Sequence, residues 1–283
     1  MTARIIDGKS IAASVRAEVA EHVAKLAAPP GLSAVIVGDD PASHVYVSQK
    51  RKMASEVGIV SFDDDLAATI SQPELIDHVR MLNRNPAVHG ILVQLPLPEH
   101  IDPIVVQETV DPRKDVDGLH PENQGLLALG RPRFIPCTPA GVVELMERSG
   151  IEVEGRRIVV IGRSTLVGRP LSILLGIKAP GLNATVTLCH TGTKDIAAYT
   201  REAEIVIVAA GRRNTLTADM VAPGATVVDV GTNRDENGKL VGDVDFASVS
   251  EVAGAITPVP GGVGPMTVAM LLMNTVRAAE GLV

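Results

Sequence analysis

Three polar residues in the first third of the chain have the spacing of one helix face. Ser43, Tyr46 and Lys50 follow each other at intervals of three and four residues, so they lie along the same side of a predicted α-helix. A lysine beside a tyrosine, partly shielded from water, can have a lowered pKa and can donate a proton, accept one or stabilise charge. The ordinary alternative is a lysine that extends into solvent next to Arg51 and Lys52, and spacing alone favours that alternative.

Further polar groups follow apolar segments. Gln94 interrupts the apolar run 91–97 near the carboxyl end of a predicted strand, which is the edge at which open α/β sheets bind ligands. Asp115 and Asp117 lie in a loop, where their carboxylates could accept hydrogen bonds from an amino-pyrimidine or hold a cation. Capping of the loop is the competing interpretation. A pair of carboxylates is a weak metal signal and the histidines lack a ligand spacing, so we predict no metal site.

A turn in the second half has the position of a nucleotide-binding loop. Gly162, Arg163, Ser164 and Gly168 follow the apolar run 157–161 and open a predicted helix. In a doubly wound sheet this position presents backbone amides and a helix N-terminus to a pyrophosphate. The glycine spacing departs from GxGxxG, and a turn that needs glycine for close packing is the alternative interpretation.

The end of the following strand favours NADP over NAD. Sheets that bind NAD usually present Asp or Glu there to the ribose 2′-hydroxyl. Residues 187–191 contain no carboxylate, whereas Arg163 and Thr191 could supply a cation and a hydroxyl to a 2′-phosphate. Arg163 alone would be interpreted as a solvated turn residue, and the missing acid is what favours the phosphate contact.

The elements that position these residues are predicted from apolar periodicity and capping signals. In the first half, strands are predicted at 33–38 and 90–95, with a helix over 43–57 and another after the capping-box spacing of residues 71–74. An amphipathic helix over 11–26 precedes them. In the second half, β-branched runs typical of buried parallel strands alternate with helical segments. These runs are 157–161, 184–188, 204–208 and 225–230.

This alternation predicts an α/β protein with two domains. We place the first domain at 1–138, completed by a C-terminal helix over 266–283, and the second at 139–265. The second domain has the pattern of a Rossmann-like, doubly wound parallel sheet.

Composition excludes several classes of function. With 26 Lys and Arg against 33 Asp and Glu, the net charge is −7, and Trp is absent, which weighs against a nucleic-acid partner. No apolar run approaches the roughly 20 residues that span a bilayer, and the first residues lack the apolar core of a signal peptide. Cys137 and Cys189 cannot form a disulfide framework, so we expect a cytoplasmic protein.

Six motifs in order resemble the bifunctional methylenetetrahydrofolate dehydrogenase/methenyltetrahydrofolate cyclohydrolase family, over nearly the whole chain. They are YVSQK at 46–50, VQLPL at 93–97, KDVDG at 114–118, PCTP at 136–139, GRSTLVGRP at 162–170 and PVPGGVGPMT at 258–267. The resemblance implies oxidation of methylenetetrahydrofolate by NADP and hydrolysis of the methenyl product to 10-formyltetrahydrofolate, in one-carbon metabolism. It also implies a homodimer and an active-site cleft between an α/β catalytic domain and the NADP domain.

By motif, the resemblance assigns the substrate-side residues. Lys50 is implied to be the central catalytic residue, with Tyr46 and Gln94 beside it, while Asp117 holds the pterin ring and Ser43 is a lesser candidate. Pro260, Gly261 and Gly264 complete the substrate side, and the peptide bonds before Pro96 and Pro260 are candidates for the cis form.

The cofactor residues implied by the resemblance follow the strands of the second domain. They are Gly162, Arg163, Ser164, Gly168, Thr191 and the segment 231–233, which includes Thr232. Thr191 stands where some relatives have serine and keeps the hydroxyl. Thr232 stands where a branched apolar residue can occur, which is a departure from the family's pattern at the expected nicotinamide contact.

Alternative functions come from different classes. One is another NADP-linked dehydrogenase with two domains, resembling shikimate dehydrogenase, which also pairs a lysine with an acid. The other is a non-catalytic module that binds a dinucleotide. The joint presence of Lys50, Tyr46, Gln94 and Asp117 weighs against the second.

Overall fold

The structure is a computed structural model that describes residues 2–282, apart from the side chains of residues 42 and 63. The predicted alternation of strands and helices runs through this part of the chain. The strands are β1 (Arg4–Ile5), β2 (Gly31–Val37), β3 (Val60–Leu66), β4 (Gly90–Val93), β5 (Arg157–Ile161), β6 (Thr185–Cys189), β7 (Ile205–Val208), β8 (Thr226–Asp229), β9 (Asn233–Arg234), β10 (Leu240–Val241) and β11 (Ala255–Ile256). The helices are α1 (Gly8–Val23), α2 (Pro41–Glu56), α3 (Gln72–Arg84), α4 (Pro103–Thr109), α5 (Pro121–Ala128), α6 (Cys137–Arg148), α7 (Gly168–Gly176), α8 (Ile196–Thr200), α9 (Phe246–Val249) and α10 (Val263–Glu280).

Within residues 2–282 the chain forms two units. The small-sheet unit contains Ser14–Cys137 and residues 268–282, and the large-sheet unit contains residues 2–13 and Thr138–Thr267. The helices of this part of the chain include none that is long and apolar enough to cross a membrane.

The small-sheet unit is built on a parallel sheet in the order β3-β2-β4. Its core includes Leu75, Val79 and Leu82 of α3, which are buried together with residues of β2 and β4. The predicted capping box begins α3: the Ser71 hydroxyl accepts from the Glu74 N–H, and the Glu74 carboxylate accepts from the Ser71 N–H. Because β3 and β4 flank β2 on opposite sides, the carboxyl ends of β2 and β4 form a topological switch point, where α/β sheets bind ligands.

The large-sheet unit is built on a parallel sheet in the order β1-β11-β8-β7-β5-β6. From β5 onward this is the 2-1-3-4-5 order of one class of doubly wound fold, with the switch point between β5 and β7. The strands β5, β7 and β8 are almost continuously buried, as expected for a sheet covered on both faces. The predicted parallel sheet of the second half is therefore confirmed.

The division between the units differs from the predicted boundaries at the amino terminus. β1 pairs in parallel with β11, with Arg4 opposite Ala255 and Ile5 opposite Ile256, so residues 2–13 group with the second half of the chain. The predicted first domain, 1–138, includes these residues, because a short strand carries no signal of its partner in sequence. At the carboxyl end, residues 268–282, which include most of α10, belong to the small-sheet unit. This unit is therefore discontinuous in the chain.

Candidate active site

Lys50, Tyr46 and Gln94 meet at the switch point of the small sheet. α2 places Tyr46 and Lys50 one turn apart, and the Lys50 Nζ lies 4.4 Å from the centre of the Tyr46 ring. The Lys50 Nζ also donates a hydrogen bond to the Gln94 Oε1 at 3.1 Å, and the Gln94 Nε2 donates to the Leu95 carbonyl at 2.7 Å. Lys50 is only 5% exposed, so the alternative of a surface lysine is wrong for this residue.

The surroundings of Lys50 and Tyr46 shift both pKa values in the direction of the neutral form. Burial lowers the pKa of Lys50, and the nearby Asp117 and Cys137 groups partly oppose this shift. Burial raises the pKa of Tyr46 to about 12, and Asp117 and Cys137 act in the same direction. The Tyr46 phenol therefore keeps its proton near neutral pH, and Lys50 is the group of the pair that can take up or release one.

Ser43 lies on the same face of α2 but is engaged locally. Its backbone N–H and its hydroxyl both donate to the Asp40 Oδ2, at 2.8 Å and 2.7 Å. Asp40 is the N-cap of α2, so this pair stabilises the start of the helix that carries Lys50. A contact between Ser43 and substrate stays a prediction.

The carboxylates of the 115–117 loop have separate environments. Asp115 is 5% exposed and accepts from the N–H groups of Leu119 and His120 and from the Asn123 Nδ2, at 3.2, 2.8 and 2.7 Å. Burial raises the pKa of Asp115, and these hydrogen bonds oppose the shift. Asp117 is half-buried and acts electrostatically on both Tyr46 and Lys50. Loop capping therefore describes Asp115, whereas the binding of a pterin by Asp117 stays a prediction.

Residues that the sequence analysis missed hold the loop of Asp117 in place. The Asn274 Nδ2, from α10, donates to the carbonyls of Val116 at 2.9 Å and Ile135 at 3.2 Å. The Cys137 thiol donates to the same Val116 carbonyl at 3.2 Å. The signal for Asn274 is a buried amide inside an otherwise apolar helix, which implies a specific partner.

The nucleotide-type loop follows β5 as predicted. Gly162 has a φ of +118° and a Cβ on it would overlap the Ala209 carbonyl, while a Cβ on Gly168 would overlap the Gly162 carbonyl. Close packing therefore requires glycine at both positions, as the alternative interpretation of this turn expects. The same turn exposes Arg163 and Ser164 and leads directly into the N-terminus of α7, so packing and anion binding are compatible here.

The other predicted cofactor residues also follow strands of the large sheet. Thr191 is exposed after β6, and Thr232 is exposed after β8. The Ser164 hydroxyl accepts from the Val167 N–H at 3.1 Å, which fixes the turn between β5 and α7. All of these positions lie at the carboxyl edge of the sheet, where the topology predicts a ligand.

A carboxylate that the sequence analysis did not select ends β8. Asp229 is 3% exposed, and burial raises its pKa to about 6 although N–H groups of Asp243, Val244 and Gly231 oppose the shift. Its signal in sequence is the one that drew attention to Gln94, namely a polar residue near the carboxyl end of a buried apolar run.

The glycine-rich turn before α10 belongs to the large-sheet unit. The peptide bonds before Pro96 and Pro260 are cis, as the resemblance led us to expect. Gly261 has a φ of +112°, and a Cβ on Gly264 would meet nothing within 4 Å among the described residues. The roles of Pro260, Gly261 and Gly264 in substrate binding, and the predicted cleft, stay predictions.

Comparison with known proteins identifies the family. The model of the tetrahydrofolate dehydrogenase/cyclohydrolase catalytic domain matches residues 6–117. The model of the NAD(P)-binding domain of the same enzymes matches residues 136–282. The chain belongs to this family. The resemblance found in the motifs is thereby confirmed, and the alternative that resembles shikimate dehydrogenase is not supported.

Full-length relatives agree with the family models. The bifunctional protein FolD of Burkholderia thailandensis is 56% identical over 99% of this chain and 98% of its own length. The crystal structure of the bifunctional FolD of Campylobacter jejuni covers 99% of both chains at 48% identity, with a TM-score of 0.95. A Trypanosoma brucei FolD structure, complexed with NADP and an inhibitor, is 40% identical, with a TM-score of 0.93 over 100% of this chain and 99% of its own.

The first prediction separates the two carboxylates of the loop. Asp115→Asn replaces an acceptor oxygen by a donor that faces N–H groups, so the free energy of unfolding should fall by about 1–3 kcal/mol. Asp117→Asn should lower it less, because Asp115 and not Asp117 accepts the Leu119 and His120 N–H groups that close the loop. Urea denaturation followed by circular dichroism measures both. Equal destabilisation by the two variants would contradict the separate roles.

Proposed function

We propose that this chain oxidises 5,10-methylenetetrahydrofolate with NADP and hydrolyses the methenyl product to 10-formyltetrahydrofolate. The observation that carries the proposal is the buried Lys50 amine, hydrogen-bonded to Gln94 and placed over the Tyr46 ring, in a chain that contains both domains of the family. The Campylobacter jejuni and Trypanosoma brucei FolD proteins support both activities, since each is described as a methylenetetrahydrofolate dehydrogenase and cyclohydrolase.

The loop after β5 fits a dinucleotide phosphate. Its glycine backbone leaves no room for a Cβ at Gly162 or Gly168, it exposes Arg163, and it opens the helix α7. Arg163 and Thr191 would hold the 2′-phosphate, and Gly162, Ser164 and residues 231–233 would hold the rest of the cofactor. NADP, when bound, accepts the hydride from the methylene carbon of the substrate. The Trypanosoma brucei FolD that is complexed with NADP supports the choice of this cofactor.

Lys50 is the proton acceptor of the hydrolytic step. Water forms a bond to the cationic methenyl carbon and gives one proton to the neutral Lys50 Nζ. The bond from this carbon to N5 then breaks as the hydroxyl becomes the formyl carbonyl and gives up its proton, N5 takes up one proton, and Lys50 releases its proton to solvent. The Gln94 Oε1 accepts one N–H of the amine, which orients the nitrogen lone pair. The Tyr46 phenol stays protonated and excludes water from one side of the amine.

Asp117 binds the pterin edge. A pterin presents an amino group and a ring N–H side by side, and a carboxylate can accept two parallel hydrogen bonds from that edge. Asp115 cannot serve in this way because its oxygens already accept from the loop and from Asn123. Asp117 therefore orients the substrate for both reactions.

A spectroscopic assay tests the function directly. Methylenetetrahydrofolate is supplied with NADP or with NAD, and the absorbances of NADPH and of the methenyl product are followed together. Formation of NADPH, with the methenyl signal appearing and then decaying faster than without protein, is expected. Saturable NADP binding with no turnover would instead indicate the non-catalytic module, and turnover of shikimate would indicate the rival dehydrogenase.

Finer properties are part of the same proposal. The family resemblance supports a homodimer, which light scattering on the purified protein would test. A cytoplasmic location is supported by the cysteine count, since Cys137 and Cys189 are too few for a disulfide framework.

Lys50 should matter more for hydrolysis than for hydride transfer. Lys50→Met should abolish hydrolysis of methenyltetrahydrofolate, because the attacking water then has no proton acceptor, while residual dehydrogenase activity lets the methenyl compound accumulate. In the unchanged protein, hydrolysis corrected for the uncatalysed rate should rise with pH, since more Lys50 becomes neutral as pH approaches its lowered pKa.

The matched control for this variant is Lys52→Met. Lys52 is exposed on the same helix, and its Nζ lies 4.0 Å from the Glu56 Oε1. Removal of the Lys52 amine should therefore leave both activities unchanged. Undiminished hydrolysis by Lys50→Met, or a pH profile identical in the variant, would refute the assignment.

Arg163 should discriminate between the cofactors. Arg163→Ala should weaken NADP binding by about 10-fold to 150-fold, the loss of a charge-assisted hydrogen bond worth roughly 1.5–3 kcal/mol, and should barely change NAD binding. Lys178→Ala, which removes an exposed charge beyond the far end of α7, is the control and should affect neither. Equal losses for NADP and NAD in the Arg163 variant would exclude the 2′-phosphate role.

Asp117→Asn should weaken folate binding without changing NADP binding. The new amide donor would face a donor of the pterin, at a cost of roughly 1–3 kcal/mol or about 5-fold to 150-fold in affinity. Both activities should fall, because both use the same bound ring. Titration of the free protein with folate and with NADP measures the two affinities, and a parallel loss of both would assign Asp117 to loop structure instead.

A further inference from the structure

Buried carboxylates outside the predicted site residues lie at the carboxyl edge of the large sheet. Asp229 ends β8, and Asp243 follows β10; they are 3% and 0% exposed. A buried charge costs several kcal/mol unless hydrogen bonds compensate it, so the partners of these groups show what they hold together.

Asp243 joins the loops that follow neighbouring strands. Its Oδ2 accepts from the backbone N–H groups of Ala210 and Gly211, just after β7, at 2.6 Å and 2.8 Å. Its Oδ1 accepts from the Asn233 Nδ2, just after β8, at 2.8 Å. One side chain therefore ties the 209–211 loop to the 231–233 loop.

Asp229 in turn holds the segment that carries Asp243. Its Oδ1 accepts from the N–H groups of Gly231 at 2.9 Å and Asp243 at 3.0 Å, and its Oδ2 accepts from the Val244 N–H at 3.0 Å. The space around the pair is closed, because a Cβ on Gly231 would overlap the Asp243 carboxylate. The arrangement leaves little freedom for either loop.

The tied loops border the expected cofactor position. The switch point lies between β5 and β7, and the Ala209 carbonyl is the group that a Cβ on Gly162 would overlap. The 209–211 loop therefore packs directly on the glycine turn after β5. The 231–233 loop contains Thr232, which we predict to contact the cofactor.

We propose that Asp243 is the positioning residue of the NADP site, holding the 209–211 and 231–233 loops in the geometry that binds the cofactor. This inference rests on the proposed function. Asp243 touches backbone and Asn233 rather than the reacting atoms, so it acts through the loops, and Asp229 keeps the Asp243 backbone in place.

The test uses the fact that hydrolysis of the methenyl compound consumes no NADP. In Asp243→Asn, one acceptor oxygen becomes a donor, so either the N–H pair after β7 or the Asn233 amide loses its acceptor. Calorimetric titration of the free protein should show NADP binding weakened by roughly tenfold or more, with a parallel rise in KM for NADP. The kcat for hydrolysis of supplied methenyltetrahydrofolate should stay within about twofold of its original value, a split that a general loss of structure would not produce.

Asp245→Asn is the matched control. Asp245 lies two residues further on, and its carboxylate accepts from the Ser248 hydroxyl at 2.6 Å instead of from either loop, so both measurements should be unchanged. Unaltered NADP affinity in Asp243→Asn, in a protein that is active before substitution, would overturn the inference. A protein that shows neither activity before substitution would overturn the proposed function instead.

A second variant covers the case in which Asp243→Asn loses both activities. Asp229→Asn replaces an oxygen that accepts from the Asp243 or Val244 N–H by a donor, and should shift Asp243 away from the loops without changing a residue that we place at the cofactor. Weakened NADP binding with retained hydrolysis in this variant would support the positioning role. Loss of both activities in both variants would overturn it, because Asp243 would then serve the stability of the whole unit.

Discussion

A polar group that is removed from water must find a hydrogen-bond partner inside the protein, and the functional loops of this chain are built around such groups. The Lys50 amine is held by Gln94, the Asp115 carboxylate collects donors from its own loop, and Asn274 bridges the carbonyls of Val116 and Ile135. Each of these bonds joins segments that are far apart in sequence or closes a loop that carries a predicted ligand-binding residue. The geometry of the site follows from the satisfaction of these groups.

The same burial sets the chemistry. An amine in water is protonated at neutral pH and cannot accept a proton, whereas burial of Lys50 lowers its pKa and makes the neutral form accessible. The neighbouring Asp117 limits that shift, so the lysine can still be protonated in a catalytic cycle. The same burial raises the pKa of Tyr46, so its phenol keeps the proton and stays a hydrogen-bond donor. One environment thus gives two adjacent groups different roles.

In the large-sheet unit, close packing of backbone groups determines the arrangement of the loops. The turn after β5 approaches its neighbours closely, because Gly162 and Gly168 each face a carbonyl where a Cβ has no room. Loops that pack so closely also have to be held in fixed positions relative to one another. Asp229 and Asp243 provide this by accepting hydrogen bonds from the segments that follow β7, β8 and β10.

The sequence by itself determined the elements, because their signals are local. Apolar periodicity, the capping box at Ser71 and Glu74, and the glycine turn after the strand 157–161 predicted strands and helices that the structure contains. The ordered motifs, which are also local, identified the family and predicted Lys50, Tyr46, Gln94 and Asp117 as site residues.

Only the tertiary structure decided questions that depend on distant partners. Spacing favoured a solvated Lys50, and burial beneath residues of other elements reversed that interpretation. The structure also shows which carboxylate caps the loop, because Asn123 and the loop amides donate to Asp115. The pairing of β1 with β11 is likewise invisible in the sequence, since a strand of two residues has no periodicity and its partner lies some 250 residues away. In each case the deciding interaction is between residues that the fold brings together and that local patterns cannot relate.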